Sequence, residues 1–158
     1  MCLGPDFVWI KNRSNAASPI LVDSVRGIGE ELSSNSSGAE TSNGTSRLTS
    51  FDSDGFTISS TAVSSLNTSG NTYVAWAWDA GSGSAASNTD GSITSTVKAN
   101  DTYGFSIASY AGTGANATIG HGLSAAPDLA IFKNRDDGND DWWVYLSLIH
   151  ISEPTRPY

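Results

Sequence analysis

Cysteine is nearly absent from this 158-residue chain, which contains Cys2 and no second thiol. A single cysteine can form neither a disulfide within the chain nor a thiolate cluster for a metal ion. Long apolar runs are also missing, since no stretch approaches the roughly 20 residues that a membrane-spanning helix needs. The opening residues, Met1 to Asp6, lack a basic region followed by an apolar segment. The sequence therefore predicts neither a signal peptide nor a transmembrane segment.

Positive charge is scarce, because 8 Lys and Arg residues stand against 16 Asp and Glu residues, for a formal net charge of −8. Such a chain has too few cations to neutralise a run of phosphates, so we expect no nucleic-acid partner. Charged residues make up only 15% of the chain, which argues against a disordered, solvating segment. Five Trp, five Tyr and five Phe supply enough large side chains for the core of one domain.

A decapeptide near the start of the chain returns near its end. Residues 5–14 read Pro-Asp-Phe-Val-Trp-Ile-Lys-Asn-Arg-Ser, and residues 127–136 read Pro-Asp-Leu-Ala-Ile-Phe-Lys-Asn-Arg-Asp, at an offset of 122 residues. At the same offset Ile20 matches Trp142, and Val22 matches Val144. A repeat of this length exceeds the unit of a solenoid protein and indicates tandem copies of one domain.

Short apolar segments bounded by turn sequences run through the chain and predict β-strands. They lie at residues 7–10, 20–25, 56–58, 73–78, 105–110, 129–132 and 142–145. In the fourth segment, a period of two places Val74, Trp76 and Trp78 on one face and the intervening residues on the other. Residues 26–33 could form one or two helical turns, although two glycines weaken them. The pattern favours an all-β, antiparallel sandwich.

A segment rich in glycine and serine divides the chain. Residues 80–90 have the composition of a flexible linker. We therefore expect residues 1–79 to be the later part of one β-sandwich repeat and residues 91–145 to be the opening part of the next. The chain would then be truncated and effectively permuted across a repeat junction.

This permuted organisation makes a prediction about two strands. The strand at 104–110 would fill the position of a strand lost ahead of Pro5, as in a circular permutant. The strand at 128–134 would compete with residues 7–13 for equivalent pairing. We expect 128–134 to lie at an edge or to be poorly packed.

The last residues of the chain have a separate origin on our interpretation. Residues 146–156, Leu-Ser-Leu-Ile-His-Ile-Ser-Glu-Pro-Thr-Arg, resemble a translated reading frame of a transposase-type sequencing-library adapter, and all eleven residues fit. We therefore interpret residues 146–158 as a non-native, adapter-derived tail and exclude them from functional inference. The natural sequence would be interrupted near Tyr145, within a strand, with the true protein continuing beyond it, and Met1 could be an internal or spurious start. A genuine amphipathic tail is the alternative.

Three motifs occur together: the repeated decapeptide, Ser-Gly-Asn-Thr-Tyr-Val-Ala-Trp-Ala-Trp at 69–78, and Gly-Phe-Ser-Ile-Ala-Ser-Tyr at 104–110. With them, most of residues 5–145 resembles a tandem domain of virion structural proteins from tailed bacteriophages, notably from marine metagenomes. One departure is Ala77, where that family often carries a cysteine. The resemblance implies a jelly-roll sandwich similar to concanavalin-type lectins, located in a tail fibre or another appendage.

The residues that could bind a metal or act in catalysis are explained more simply as turn residues. His121 stands between two glycines, without the positioned partner of a catalytic base or the further ligands of a metal site. Residues 136–141 hold four carboxylates, but a calcium loop normally adds a distal bidentate acid, and an Asp-Gly-Asn hairpin explains the composition. Residues 52–55 lack the closing acid of a calcium loop. We expect no cofactor and no metal.

A glycoside hydrolase needs two carboxylates held across a cleft. Outside the tail the glutamates are Glu30, Glu31 and Glu40, all in one polar stretch that the sequence does not place on a strand. A glucanase related to the lectin-like sandwich would carry acids alternating along one strand. The absence of that pattern predicts that the protein is not an enzyme.

The five tryptophans, Trp9, Trp76, Trp78, Trp142 and Trp143, could stack on sugar rings. Each lies in an apolar strand segment, where packing in the core is the default expectation. If one is exposed, Trp143 is the better candidate for ligand binding, because Trp142 aligns with Ile20 of the repeat.

These observations predict a fragment of a phage virion protein that builds a tail fibre or contacts a glycan on the host surface. The expected partners are other virion proteins or neighbouring repeats, the host glycan and, in an oligomer, further copies of the same chain. The expected location is the virion, which is assembled in the host cytoplasm. Repetition would give weak sites useful avidity. Two alternatives are open: a glycoside hydrolase or polysaccharide depolymerase on the same sandwich, and a purely scaffolding repeat without a ligand.

Overall fold

The computed structural model describes residues 4–44, 46–59 and 66–147. Within these ranges the chain forms twelve strands and no helix, which confirms the all-β, antiparallel sandwich class. In chain order the strands are β1 (Phe7–Asn12), β2 (Ile20–Asp23), β3 (Gly27–Leu32), β4 (Thr41–Ser42), β5 (Leu48–Asp52), β6 (Gly55–Ile58), β7 (Tyr73–Trp78), β8 (Ala86–Asn88), β9 (Ser95–Asn100), β10 (Phe105–Tyr110), β11 (Leu129–Phe132) and β12 (Trp143–Leu146). The helical turns considered for residues 26–33 are wrong, because this segment pairs as β3 with β2 and β4.

The largest sheet has five strands in the order β4-β3-β2-β1-β7, and all its neighbours are antiparallel. Strands β1, β2 and β3 follow one another as hairpins, whereas β7 returns after a long connection to lie beside β1. Three consecutive strands with a later strand returning beside the first is the Greek-key order. The return of β7 places the Trp-containing strand against the Trp-containing first strand.

The hydrophobic core lies on one face of this sheet. Val8 pairs with Val22 and Ile10 pairs with Ile20, and opposite residues of an antiparallel pair point to the same face. All four side chains are buried in one cluster with Leu48 of β5 and with Leu66. The two-stranded β5–β6 hairpin covers this face, since Phe51, Phe56 and Ile58 pack against the same cluster. The core is therefore made mainly by the β1–β2 hairpin of the large sheet and by the β5–β6 hairpin.

The remaining strands form a three-stranded sheet, β10-β9-β8, and a two-stranded sheet, β11-β12. Strand β10 pairs with β9 and takes no hydrogen-bonded position beside β1. Because β2 and β7 lie on the two sides of β1, β10 is not a neighbour of β1 in the sheet. That 104–110 fills the position of a strand lost ahead of Pro5 stays a prediction. Strand β11 has β12 as its partner in the described sheets, and Leu129, Ile131 and Phe132 are exposed, as expected for 128–134.

The buried carboxylate of Asp6 joins the large sheet to the three-stranded sheet. Its Oδ1 accepts hydrogen bonds from Lys98 Nζ at 2.6 Å and from Ser24 Oγ at 2.7 Å. Its Oδ2 accepts the backbone N–H of Ala80, which is fully buried. The Gly/Ser-rich segment 80–90 thus begins at this junction, and it also contains β8. This segment is part of the folded chain.

The two copies of the decapeptide make the same local structure. Lys11 Nζ and Lys133 Nζ each donate back to carbonyls of the following turn. Asn12 Oδ1 accepts the N–H groups two and three residues ahead, and Asn134 Oδ1 does likewise. An asparagine side chain that caps its own turn in this way stabilises the chain reversal. The repeat is therefore structural as well as sequential up to this turn.

Beyond the turn the two copies differ by one residue. Ile10 pairs with Ile20 in the first hairpin, whereas Phe132, which corresponds to Ile10, pairs with Trp143. The second hairpin thus has one more residue in its connection. The equivalent of Ile20 is Trp143, and the sequence alignment of Ile20 with Trp142 is wrong by one position.

Candidate functional site

An aromatic surface lies on the face of the large sheet opposite the core. We use this name for Phe7, Trp9, Trp76, Trp78 and Phe105. The register of β1 with β7 places Phe7 opposite Trp78 and Trp9 opposite Trp76. The ring centroids of the first pair are 5.3 Å apart and those of the second 5.5 Å, and both pairs are tilted. Alternation along β7 puts both its indoles on this face, as the period of two predicted.

Phe105 of β10 covers one end of the aromatic surface. Its ring stacks on Trp78 at 6.1 Å and meets Phe7 at 6.2 Å. No ring contact joins Phe105 to Trp76 among the described residues, and Trp76 is the more exposed indole, at 46% against 38% for Trp78. The default expectation that these two tryptophans pack in the core is wrong, because the other sheet reaches only the Trp78 end.

Trp9 lies beside Trp76 and is half-buried. Its Nε1 is inaccessible to solvent and has no hydrogen-bond acceptor among the described residues. A buried indole N–H without a partner costs free energy, so Trp9 is held by packing rather than by a polar contact. A pair made of one fixed indole and one exposed indole is a rigid apolar platform. Aromatic side chains of this kind give large contact areas at low cost in conformational entropy.

Trp143, the tryptophan that the sequence favoured for exposure, is 73% exposed on β12. It lies outside the aromatic surface, because it belongs to the separate β11–β12 hairpin. The exposure is confirmed, but the alignment behind it is wrong, because Trp143 occupies the position of the buried Ile20. Trp143 is exposed since no described strand covers the hairpin in the way that β5–β6 covers β1–β2. Whether it binds a ligand stays a prediction.

An open polar pocket of 380 Å³ lies at the end of β3. Glu31 and Arg47 line it together with Asn43, and Arg47 Nη1 donates to Glu31 Oε2 at 2.7 Å. Burial raises the pKa of the Glu31 carboxyl, although the Arg47 guanidinium and, to a smaller extent, Asn43 act in the lowering direction. Both Glu30 and Glu31 lie on β3, so the expectation that these glutamates have no strand placing is wrong.

A raised carboxyl pKa suits a general acid, but glycoside hydrolysis needs a second carboxylate facing the first. Glu31 is the one carboxylate among the described residues that line this pocket. Glu30, its neighbour in sequence, alternates to the other face of β3 and accepts a hydrogen bond from Ser42. The pocket offers one acid and one guanidinium to a polar ligand.

Glu40 links the first part of the chain to the second decapeptide. It accepts hydrogen bonds from Arg26 Nη1 at 2.7 Å and from Arg135 Nε at 3.0 Å. Burial acts to raise the pKa of Glu40, but the bonds from Arg135 and Arg26 outweigh it, so that this pKa lies below its ordinary value. A carboxylate neutralised by two guanidiniums has a structural role. The neighbouring Trp142 also supports this contact, because its Nε1 donates to the carbonyl of Ser36 at 3.0 Å.

The other candidate residues lie in turns. His121 Nδ1 accepts the backbone N–H of Leu123 at 3.1 Å, next to Gly122 with a φ of +75°. In the acidic segment 136–141, Asp137 Oδ1 accepts the N–H of Asn139, which closes a solvent-exposed turn. Residues 52–55 form the connection of the β5–β6 hairpin. In the part of the chain that the structure describes, no three His, Cys, Asp or Glu side chains are grouped as metal ligands.

The fold and the aromatic surface together define an antiparallel all-β domain with an apolar platform on one sheet. The chain belongs to the family described as Domain of unknown function (DUF7483), whose model matches residues 1–155. The match crosses the segment 80–90 and includes most of the segment 146–158. No curated protein and no solved structure shows a match. Among the described residues no helix has the length and apolarity to cross a membrane.

Proposed function

We propose that this chain is a repeat-derived module of a bacteriophage virion protein, and that its aromatic surface contacts glycans on the host surface. The observation that carries the proposal is Trp76, an indole 46% exposed and backed by the half-buried Trp9. The C–H face of a sugar ring stacks on such a surface, because the indole face carries partial negative charge. A binding module needs no reacting groups, and the five aromatic side chains that form this surface carry no acid, base or nucleophile.

The fold supports a role in display as well as in binding. The return of β7 beside β1 gives the Greek-key order on which jelly-roll sandwiches are built, and this order supports our proposal that the domain is of the jelly-roll, concanavalin-like type. The repeated decapeptide folds twice in the same way, which suits a protein assembled from equivalent units. Weak glycan contacts repeated along a virion appendage add to useful avidity.

A glycan array tests the proposal. The chain and a Trp76→Ala variant are compared with a Trp143→Ala variant, in which an exposed indole outside the aromatic surface is removed. We expect the unmodified chain and Trp143→Ala to bind the same glycans, and Trp76→Ala to lose at least about tenfold in affinity, the equivalent of roughly 1.4 kcal/mol. Loss of binding in Trp143→Ala alone would move the site to β12. Absence of binding by the unmodified chain would leave the scaffolding role and remove the glycan role.

A polysaccharide hydrolase is the second candidate, since the pKa of Glu31 is raised at an open polar pocket. Its test is the release of reducing ends from host polysaccharide. An activity that Glu31→Gln abolishes and Trp76→Ala preserves would favour the hydrolase over the binding module.

A further inference from the structure

The β11–β12 hairpin exposes apolar side chains on both of its faces. Phe132, Trp143 and Tyr145 are 44%, 73% and 57% exposed on one face. The register shows that these three residues, together with Ala130, share a face, because Phe132 pairs with Trp143 and Ala130 pairs with Tyr145. Adjacent exposed apolar side chains of this kind are typical of a contact site for another protein segment.

The same chain shows what covers such a face. By the equivalence of the two hairpins, Ala130, Phe132, Trp143 and Tyr145 stand at the positions of Val8, Ile10, Ile20 and Val22, all of which are buried. The cover on those four residues is the β5–β6 hairpin with Leu66. The exposed face is thus the second copy of a surface whose cover is visible in the first copy.

The end of the second hairpin is also placed as in the first. Ser24 N donates to the carbonyl of Asp6 at 2.8 Å, and Ser147 N donates to the carbonyl of Asp128 at 2.7 Å. Although residues 146–158 are interpreted as non-native, the backbone of Ser147 therefore stands where that of Ser24 stands, at the point from which the first copy continues into β3. The other end is anchored by Arg135 on Glu40, so the exposed face is held at a defined position.

We propose that the face formed by Ala130, Phe132, Trp143 and Tyr145 is an assembly surface for a β-hairpin of the β5–β6 type, supplied by another repeat unit of this family. The occupant is defined by its chemistry: two antiparallel strands that present leucine, phenylalanine and isoleucine side chains in the spacing of Leu48, Phe51, Phe56 and Ile58. Burial of Trp143 and its neighbours by such a hairpin is driven by the removal of apolar surface from water. This inference does not depend on glycan binding.

A graft supplies the occupant in register. A second copy of residues 25–71 is joined directly after Ser147, which reproduces the continuation that follows Ser24. Cys2→Ser removes the native thiol, and a reporter thiol is introduced by Trp143→Cys on the assembly surface or by Val144→Cys on the opposite face. We expect the graft to slow thiol labelling in the Trp143→Cys chain by at least about tenfold and in the Val144→Cys chain by less than about twofold, because a covered side chain reacts only after local opening.

Two further grafts make the result decisive. Phe132, Trp143 and Tyr145 are larger than the residues they replace, so one graft carries Phe56→Val in the appended copy to relieve overpacking. The control graft carries Leu48→Asp and Phe51→Asp in the appended copy and should give no protection. The proposal is overturned if neither active graft protects, if the control protects equally, or if both reporter positions slow alike. Protection of the ungrafted chain that rises with its concentration would assign the face to self-association instead.

Discussion

Replacing Ile10 and its counterpart Phe132 by alanine should separate the two copies of the decapeptide energetically. Ile10 is 5% exposed and lies in the core cluster, whereas Phe132 is 44% exposed on the β11–β12 hairpin. Ile10→Ala removes three carbon groups from a buried site, a loss of roughly 2.4 kcal/mol at about 0.8 kcal/mol per buried group. The cavity left behind adds to this, so we expect a total of about 3–4 kcal/mol.

Phe132→Ala removes more atoms than Ile10→Ala but should lower the free energy of unfolding by less. A fully buried phenylalanine is worth about 3–5 kcal/mol on truncation to alanine, and most of that value comes from close packing on all sides. Phe132 has no described layer over its face, so we expect a loss below about 1 kcal/mol. Stability differences of this size are readily resolved for a domain whose total is about 5–15 kcal/mol.

Urea titration followed by tryptophan fluorescence measures both variants, with the midpoint and slope of each transition giving the free energy of unfolding. Hydrogen exchange gives an independent measure, and amides of β1 should approach the protection of global unfolding while those of β11 exchange through local opening. Equal losses of stability in the two variants, or equal protection of the two strands, would refute the assignment of the core to the first hairpin.

Three further predictions concern charged groups. Asp6→Ala should lower the free energy of unfolding by about 2–4 kcal/mol, because Lys98 and the Ala80 N–H lose their buried acceptor. Adding Lys98→Met should recover part of this lost stability, which a double-mutant cycle measures. The pKa of Glu40 is lowered in the folded state. The stability that Glu40 contributes to the fold is therefore fully present above the pKa of Glu40 in the unfolded chain, and it is lost as the pH falls through the pKa of Glu40 in the folded chain. Glu40→Gln should therefore make stability less dependent on pH in the acidic range. The pKa of Glu31 is raised, so the wild-type chain gains stability as the pH falls through that folded pKa towards the ordinary value. Glu31→Gln should remove this gain, and urea midpoints between about pH 3 and pH 7 compare each variant with the wild-type chain. The stability difference between wild type and variant should grow with rising pH for Glu40→Gln and shrink with rising pH for Glu31→Gln, and differences that change in the same direction would contradict these signs.

Local sequence predicted the features that depend on neighbouring residues. The turns at 52–55 and 136–141 were predicted because Asp side chains accept hydrogen bonds from the backbone and Gly leaves the backbone conformationally free, and both segments lie in turns in the structure. Alternation in β7 followed from the period of a strand and placed Trp76 and Trp78 together. Local sequence did not find β3, because its glycines and glutamates carry no strand signal and only pairing with β2 makes the segment extended.

The aromatic surface could be predicted only in part. Its indoles are evident in the sequence. A strand with large side chains on one face and small ones on the other, such as β7, can however pack against a second layer on either face. The β5–β6 hairpin covers Val8 and Ile10 of β1, which lie on the same face of the sheet as the alanines of β7. On the opposite face, β10 contacts Trp78 through Phe105. The exposure of Trp76 is decided by where the second layer ends, which no local pattern specifies.

By itself the sequence determined the all-β class, the positions of the turns and the double occurrence of a strand and its capped turn. Those properties arise from the backbone preferences and side-chain hydrogen bonds of residues close in the chain. Tertiary structure alone decided the one-residue difference in register, the burial of Ile20 and the exposure of Trp143 at the equivalent position. The physical reason is that burial belongs to the pair of surfaces in contact: the same strand becomes core where a second hairpin covers it and surface where none does.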